Sequence, residues 1–482
     1  MAMQGQPGGD EGALAAAVAA AARLPDDADA QFELGNALLS RGRAREALGP
    51  YQRALELRPG WAPALTNYGL VLRDLGQIEA AFEIQSFVCT HFPDFVTGFT
   101  NLGFVQQRLG RYQEAVETFR HAVGLAATGG SWANLAQALH LARREDEAAE
   151  AFAQALALAP DHPTIHYNYS QLLLQQGDYA RGWVEYGWRR RGGVRTLPPR
   201  PLPQPLWDGS PLAGRTLLLY AEQGLGDTLQ FLRFVERVPK EGGRVVVEAQ
   251  APLLPLLRDI AAIDAVIPAG APLPPLDCHL PLLSLPEILG PLRADPVTPG
   301  PYLAADPARR AVWRARLTRP GQMRIGLAWA GNPGQAGDSQ RSVEAALLID
   351  ALNDPRLALF SLQKDLRPGD AETLFVRSDR IVALGPDLHD FADTAAAVAE
   401  LDLVICVDSS LAHLAGGLGR PAWVLVRYAP DWRWWYRHED SPWYPSLRLF
   451  HQRAPLDWPE VLGRVATALG ERLGPPAQPP AA

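Results

Sequence analysis

Asp408-Ser409-Ser410 ends an apolar run, and His413 follows three residues after the second serine, with Gly-Arg-Pro and another apolar run beyond. A strand that stops on an acid and two hydroxyls where a helix starts presents free backbone N–H groups and side-chain oxygens together. Such a helix start suits the terminal phosphates of a nucleotide, and His413, one turn in, can reach a phosphate or the sugar. A plain N-cap with a half-buried histidine accounts for the same residues. A second place of this kind is "EQGLGDTLQF", where Gly224, Gly226 and Asp227 sit at a strand-to-helix junction. The glycines permit close backbone approach and the helix start favours an anion. The third glycine of a dinucleotide fingerprint is missing, so Asp227 reads either as a general base facing a cleft or as a cap of its own helix. A third loop, "WAGNPGQAGDSQRSV", carries Asn332 and Arg341 after a strand, the latter able to fork onto a phosphate. Lys364 stands at another strand end and is one of only two lysines, with Lys240.

The elements that must position these residues alternate strand and helix. After Arg215 come "TLLLY", a Gly-rich turn and an amphipathic helix, then "RVVVEA", "PLLPLLRDI" and "DAVIPAG". A charged helix over 304–318 leads to a second series, "MRIGLAWAG", "LALFSLQKD", "RIVALG" and the Asp408 motif. This alternation predicts parallel sheets covered on both faces. Two series predict an α/β domain of two Rossmann-like halves, with ligands at the carboxyl ends of the strands.

The first 190 or so residues repeat instead. Gly35, Gly69 and Gly103 are spaced by 34, each followed by Ala at a fixed distance (Ala47, Ala81, Ala115). Tyr51, Phe119 and Phe152 fill one aromatic place, and a fifth unit decays after Gly177 into "DYARGWVEYGWRRR". Period and pattern resemble the tetratricopeptide repeat, an α-solenoid of helix pairs in which small residues allow close approach and the aromatic fills the space between units. One further place on the first helix of the pairs holds Asn67, Asn101, Asn134 and Asn168, with Glu33 in the first. A ladder of primary amides can pair with the backbone of an extended polypeptide, making a groove for a peptide acceptor; local hydrogen bonding is the alternative.

Composition limits the remaining possibilities. The chain of 482 residues is 47% hydrophobic and 20% charged, with a net charge of −8 that gives no general attraction to nucleic acid or anionic membrane. Cys89, Cys278 and Cys406 have neither disulfide nor zinc spacing. Residues 12–25 are Ala-rich but lack a basic leader, and no apolar run reaches the roughly 18 residues of a membrane span. A cytoplasmic protein without membrane insertion is expected. The expected domains are a tail and half-repeat helix (1–26), repeats (27–192), a stiff Pro-rich linker (193–214), the two halves (215–303 and 304–474) and a disordered tail (475–482).

"GLGDT", the "GNPG…R" loop and "VDSSLAHLAGGLGRP" resemble the heptosyltransferase-type, family 9 glycosyltransferases of the GT-B fold. With its repeats the chain looks like bacterial tetratricopeptide-repeat proteins carrying such a domain, a layout similar to the O-linked N-acetylglucosamine transferases. The resemblance implies an inverting transfer from a nucleotide-sugar donor to a hydroxyl, with no metal or other cofactor. It makes Asp227 the catalytic acid/base, Arg341 the basic phosphate contact and Asp408 the donor-binding acid. Ser409, Ser410 and His413 match the phosphate-facing helix start. Heptosyltransferases lack repeats, so the acceptor is expected to be a protein held by the repeats. The alternative is a non-catalytic repeat scaffold with a vestigial or binding-only domain. The aromatic segment Tyr428–Phe450 either stacks on sugars or wedges the halves together.

Overall fold

The computed structural model describes residues 7–191, 200–290, 300–335, 337–436 and 438–475. The chain divides into two compact units between Ile165 and His166. The first contains α1 (Pro7–Arg23), α2 (Ala28–Leu39), α3 (Ala44–Leu57), α4 (Ala62–Asp74), α5 (Ile78–His91), α6 (Val96–Arg108), α7 (Tyr112–Leu125), α8 (Gly129–Leu141) and α9 (Glu145–Leu158). From α2 onward the helices pair. A β-carbon at Gly35 in α2 would stand 2.7 Å from the Tyr51 ring in α3, and one at Gly103 in α6 would stand 2.5 Å from Phe119 in α7. The aromatic therefore sits on the glycine of its own pair as well as between pairs, where Tyr51 shares a core with Val71 of α4. In the second pair Gln85 replaces the aromatic. It is buried over Gly69, its amide N–H donates to the Thr66 carbonyl at 2.8 Å, and its Oε1 has no partner among the described residues.

The division falls inside α10 (Pro163–Gln175), so α11 (Tyr179–Gly187), which the sequence pairs with it as the last repeat, falls in the second unit. The reason is packing. Trp183 of α11 meets Phe231 at 5.8 Å, Trp432 at 5.4 Å and Trp443 at 6.4 Å between ring centres. Just beyond, Arg189 is fully buried and donates to Glu222 and to Ser284, while Arg190 pairs with Glu287. Residues 192–199 of the expected linker lie outside the described residues. The described remainder bends and turns, and it is docked: Trp207 N–H donates to the His279 carbonyl at 2.9 Å, and Trp207 and Leu212 are buried.

The second unit holds two all-parallel sheets. The first has β1 (Thr216–Tyr220), β2 (Arg244–Ala249), β3 (Ala265–Pro268) and β4 (Cys278–Pro281) in the order β3-β2-β1-β4, with short helices α12 (Leu225–Phe231), α13 (Leu254–Leu257) and α14 (Leu285–Leu289). Helix α15 (Pro307–Leu317) leads to the second sheet. Its strands are β5 (Met323–Ala328), β6 (Leu357–Ser361), β7 (Ile381–Ala383), β8 (Leu403–Val407), β9 (Ala422–Val426) and β10 (Leu447–His451), in the order β10-β9-β8-β5-β6-β7. Between and after them run α16 (Asp338–Arg341), α17 (Ala345–Ala351), α18 (Asp370–Val376), α19 (Phe391–Ala399), α20 (Ser410–Gly417) and α21 (Trp458–Leu473). Strands β8 and β9 are apolar on both faces, and β5 is buried from Ile325 onward, because helices cover both sides. The C-terminal tail from residue 476 lies outside the described residues.

Candidate functional site

Each sheet reverses direction beside its first strand: β2 and β4 flank β1, and β6 and β8 flank β5. A crevice opens at the carboxyl ends of the strands at such a reversal, because the two crossovers leave in opposite directions. The Gly224–Asp227 loop follows β1; the Asn332 loop and the Asp408 triplet follow β5 and β8. All three motif loops thus stand where an α/β sheet places ligands. The first and third also touch. A β-carbon at Gly226 would stand 2.8 Å from His413 Cδ2 and 3.3 Å from Ser410 Cα, so only glycine lets the starts of α12 and α20 come this close.

Asp227 caps its own helix and pairs with a cation. Its Oδ2 accepts the Gly224 N–H at 2.9 Å, reaching back across the start of α12. Its Oδ1 accepts from Arg433 at 2.5 Å, while the other arm of that guanidinium takes Asp431 at 2.7 Å. Burial pushes the Asp227 carboxyl above the ordinary aspartate value; the Arg433 charge opposes this and Asp431 adds to it. The side chain still keeps 21% of its surface open.

On the other side of the crevice, Arg341 ties two loops together. Its Nε donates to Asp338 at 3.0 Å and its Nη1 to the Asp408 carbonyl at 3.3 Å. The guanidinium lies across Gly331, where any β-carbon would overlap it, which accounts for glycine in "AGNPG". Asp338 also pairs with Arg367. The Asp408 carboxyl is raised, first by burial and then by the charge of Asp431, against the pull of Trp434, Arg341 and Arg427. Ser409 is the N-cap residue of α20, yet it makes no side-chain cap bond, and its Oγ is buried without a partner among the described residues. Ser410 begins the helix, half-buried.

His413 departs from the expected contact with a phosphate or sugar. It is 4% exposed, its Nδ1 lies 2.9 Å from the Tyr444 hydroxyl, and its ring packs on Trp434 at 5.2 Å. Burial and the nearby charges of Arg433 and Arg233 hold it well below the usual histidine value, so it is neutral at pH 7 and packs the two helix starts together. Asn332 is exposed and turns on itself, its Oδ1 accepting the Gly334 N–H at 2.9 Å. Lys364 is exposed beyond β6, with its ammonium donating to the His389 carbonyl at 3.2 Å. The aromatic segment wedges rather than lines: Trp432, Trp434, Trp443 and Tyr444 are all buried.

The asparagine series is not uniform. The Asn67 amide donates to Asn36 Oδ1 at 2.8 Å, and Asn36 also accepts from the Tyr51 hydroxyl at 2.7 Å, so Asn67 is held locally. Asn101 is buried and its Nδ2 has no partner among the described residues. Asn134 is half-buried, and Asn168, also half-buried, belongs to the second unit.

Sequence reading missed Arg433, Asp431 and Arg427. Arg433 lies within the segment noted only for its aromatics, and no spacing rule joins it to Asp227. Arg427 carried a signal: it is the first residue past a fully buried strand, at the carboxyl end of the sheet.

Tetratricopeptide-repeat family models match residues 11–61, 97–128 and 139–182. The N-terminal helices are tetratricopeptide repeats. The chain is 27% identical over 500 residues to Protein FlbA of Caulobacter vibrioides, covering 88% of this chain and 82% of that one. Among solved structures, a thermophilic tetratricopeptide-repeat protein of Thermus thermophilus is 22% identical with a TM-score of 0.33, over 35% of this chain and 93% of its own. YrrB, described as a repeat protein with an unusual peptide-binding site, is 22% identical with a TM-score of 0.30, over 36% of this chain and 91% of its own. Among the described residues, no helix is long and apolar enough to cross a membrane.

Proposed function

We propose that the second unit is a GT-B-type glycosyltransferase that moves a sugar from a nucleotide-sugar donor to a hydroxyl on a protein acceptor recruited by the repeats. One observation carries this reading: the Asp227 loop and the start of α20, from opposite sheets, meet at Gly226 over the strand reversals. In this reading the acceptor oxygen attacks the anomeric carbon from the side opposite the nucleotide. The bond from that carbon to the phosphate oxygen breaks, and its electron pair leaves with the phosphate. The acceptor proton passes to Asp227, and the anomeric configuration inverts. Burial suits Asp227 to the task, since a raised carboxylate is the stronger base. Charge developing on the nucleotide meets Arg341, Lys364 and the N–H groups of α20, a set that favours the departing group over the bound donor. The transfer is metal-independent in this reading, as the family resemblance implies.

A second reading, a repeat scaffold with a binding-only domain, is favoured by one feature: both Asp227 oxygens are already engaged, by Gly224 and Arg433. Thermal unfolding with UDP, ADP, GDP and CMP and their sugar conjugates separates the readings. A nucleotide at about 100 times its Kd adds roughly 2.7 kcal/mol and moves Tm by a few degrees. The enzyme reading expects one nucleotide to stabilise the wild type but not Asp408→Ala. It also expects Asp227→Asn to bind that donor while releasing nucleotide from it about 100-fold more slowly or worse. Equal turnover by Asp227→Asn and wild type would leave the scaffold.

A further inference from the structure

Arg427 stands one residue beyond β9, beside the Asp408 triplet that ends its neighbour β8. Adjacent strands lie about 4.8 Å apart, so the two ends border the same part of the crevice. Its guanidinium passes Gly337, where a β-carbon would stand 2.7 Å from Nη1. That glycine has φ +80° and ends the loop that follows β5, so the loop makes room for the arginine in two ways.

The partners of the neighbouring arginines set Arg427 apart. Arg341 and Arg367 share Asp338, and Arg433 spans Asp227 and Asp431. Among the described residues Arg427 has no hydrogen bond and no ion pair, although its Nε is buried and Asp408 feels its charge. The Ser409 Oγ, on the next strand end, is likewise buried without a partner. Covering the Nε of a guanidinium and a serine hydroxyl without hydrogen-bond partners costs stability, and such costs are retained where a ligand offsets them.

We infer that Arg427 is an anion-binding residue of this crevice, holding a phosphate of the nucleotide together with Arg341 and the Ser409 hydroxyl. The inference rests on the donor-site reading and adds to it a residue that sequence motifs did not indicate. It also explains why the loop after β5 needs glycine twice: Gly331 seats Arg341 and Gly337 seats Arg427.

The test compares Arg427→Gln and Arg427→Lys with the wild type by thermal unfolding alone and with UDP, ADP, GDP and CMP. Calorimetric titration follows with the nucleotide that binds and with its phosphate-free nucleoside. Without ligand, Arg427→Gln is expected to melt close to the wild-type temperature, since it removes a half-buried cation that has no ion-pair partner among the described residues. Its nucleotide Kd is expected to rise at least 10-fold, Arg427→Lys to fall between, and the nucleoside to bind all three proteins alike. Wild-type nucleotide affinity in Arg427→Gln overturns this assignment and leaves the donor site standing. A ligand-free Tm several degrees lower in both variants makes Arg427 a structural residue and also overturns it. If none of the four nucleotides stabilises the wild type, the donor-site reading falls and the assignment with it.

Discussion

Arg433 donates to Asp227 Oδ1 at 2.5 Å across 206 positions of sequence, joining the loop after β1 to the aromatic segment after β9. The cation opposes the upward push of burial on the carboxyl, so removing it lets that push act alone. A base works only once deprotonated. Under the proposed transfer, the low-pH limb of its rate in Arg433→Met is therefore expected at higher pH than in the wild type, read from kcat against pH. Stability moves in a defined direction too. A carboxyl raised in the folded state contributes most below its ordinary value, and the contribution is lost as pH rises through the raised one. Arg433→Met should cost about 3–5 kcal/mol near neutral pH, and Asp227→Asn in the same chain should recover part of it. Equal stability of single and double variants would show that the pair is not coupled.

Gly331→Ala tests the seat of Arg341. The added methyl overlaps the guanidinium, so the side chain must leave the Asp408 carbonyl. The nucleotide-induced Tm shift is expected to shrink as far as in Arg341→Ala, and combining the two changes should add nothing further. A full shift in Gly331→Ala would mean that Arg341 is not a ligand contact.

Arg189→Ala removes one member of a fully buried ion pair and leaves Glu222 without its cation. The expected cost is about 3–5 kcal/mol. Because Arg189 lies after the division at residue 166, calorimetry should show the loss in the transition of the second unit, with the repeat transition unmoved. A shift in the repeat transition alone would contradict that division.

Gln85→Phe restores the aromatic that the first, third and fourth repeats carry. It buries a ring over Gly69, as Phe119 lies over Gly103, and removes a carbonyl oxygen that has no partner. A gain of about 1–2 kcal/mol is expected, a rise of a few degrees in repeat unfolding. A lower Tm would mean that the polar side chain is required where it is.

Much of the architecture was legible because periodicity carries it. The 34-residue spacing of Gly35, Gly69 and Gly103 announced the helix pairs, and the apolar runs ending at Tyr220, Ala328 and Val407 announced parallel strands with their loops at one end. What stayed hidden depends on contacts between distant segments. Nothing in "DYARGWVEYGWRRR" says that Trp183 will pack on Trp432 or that Arg189 will seek Glu222. The histidine misled for a related reason: spacing put His413 one turn into the helix, but only the fold shows Tyr444 and Trp434 closing over it.

The division inside α10 also bears on how such chains can be recombined. The Pro-rich stretch after residue 192 looks like the natural splice point for attaching a different recognition array. A crossover there would separate the second unit from Trp183, Tyr186 and Arg189, which fill its interior. Exchange of one array for another is compatible with this fold only upstream of His166, so the final helical pair must be inherited with the second unit while the earlier repeats are free to diverge in number and sequence.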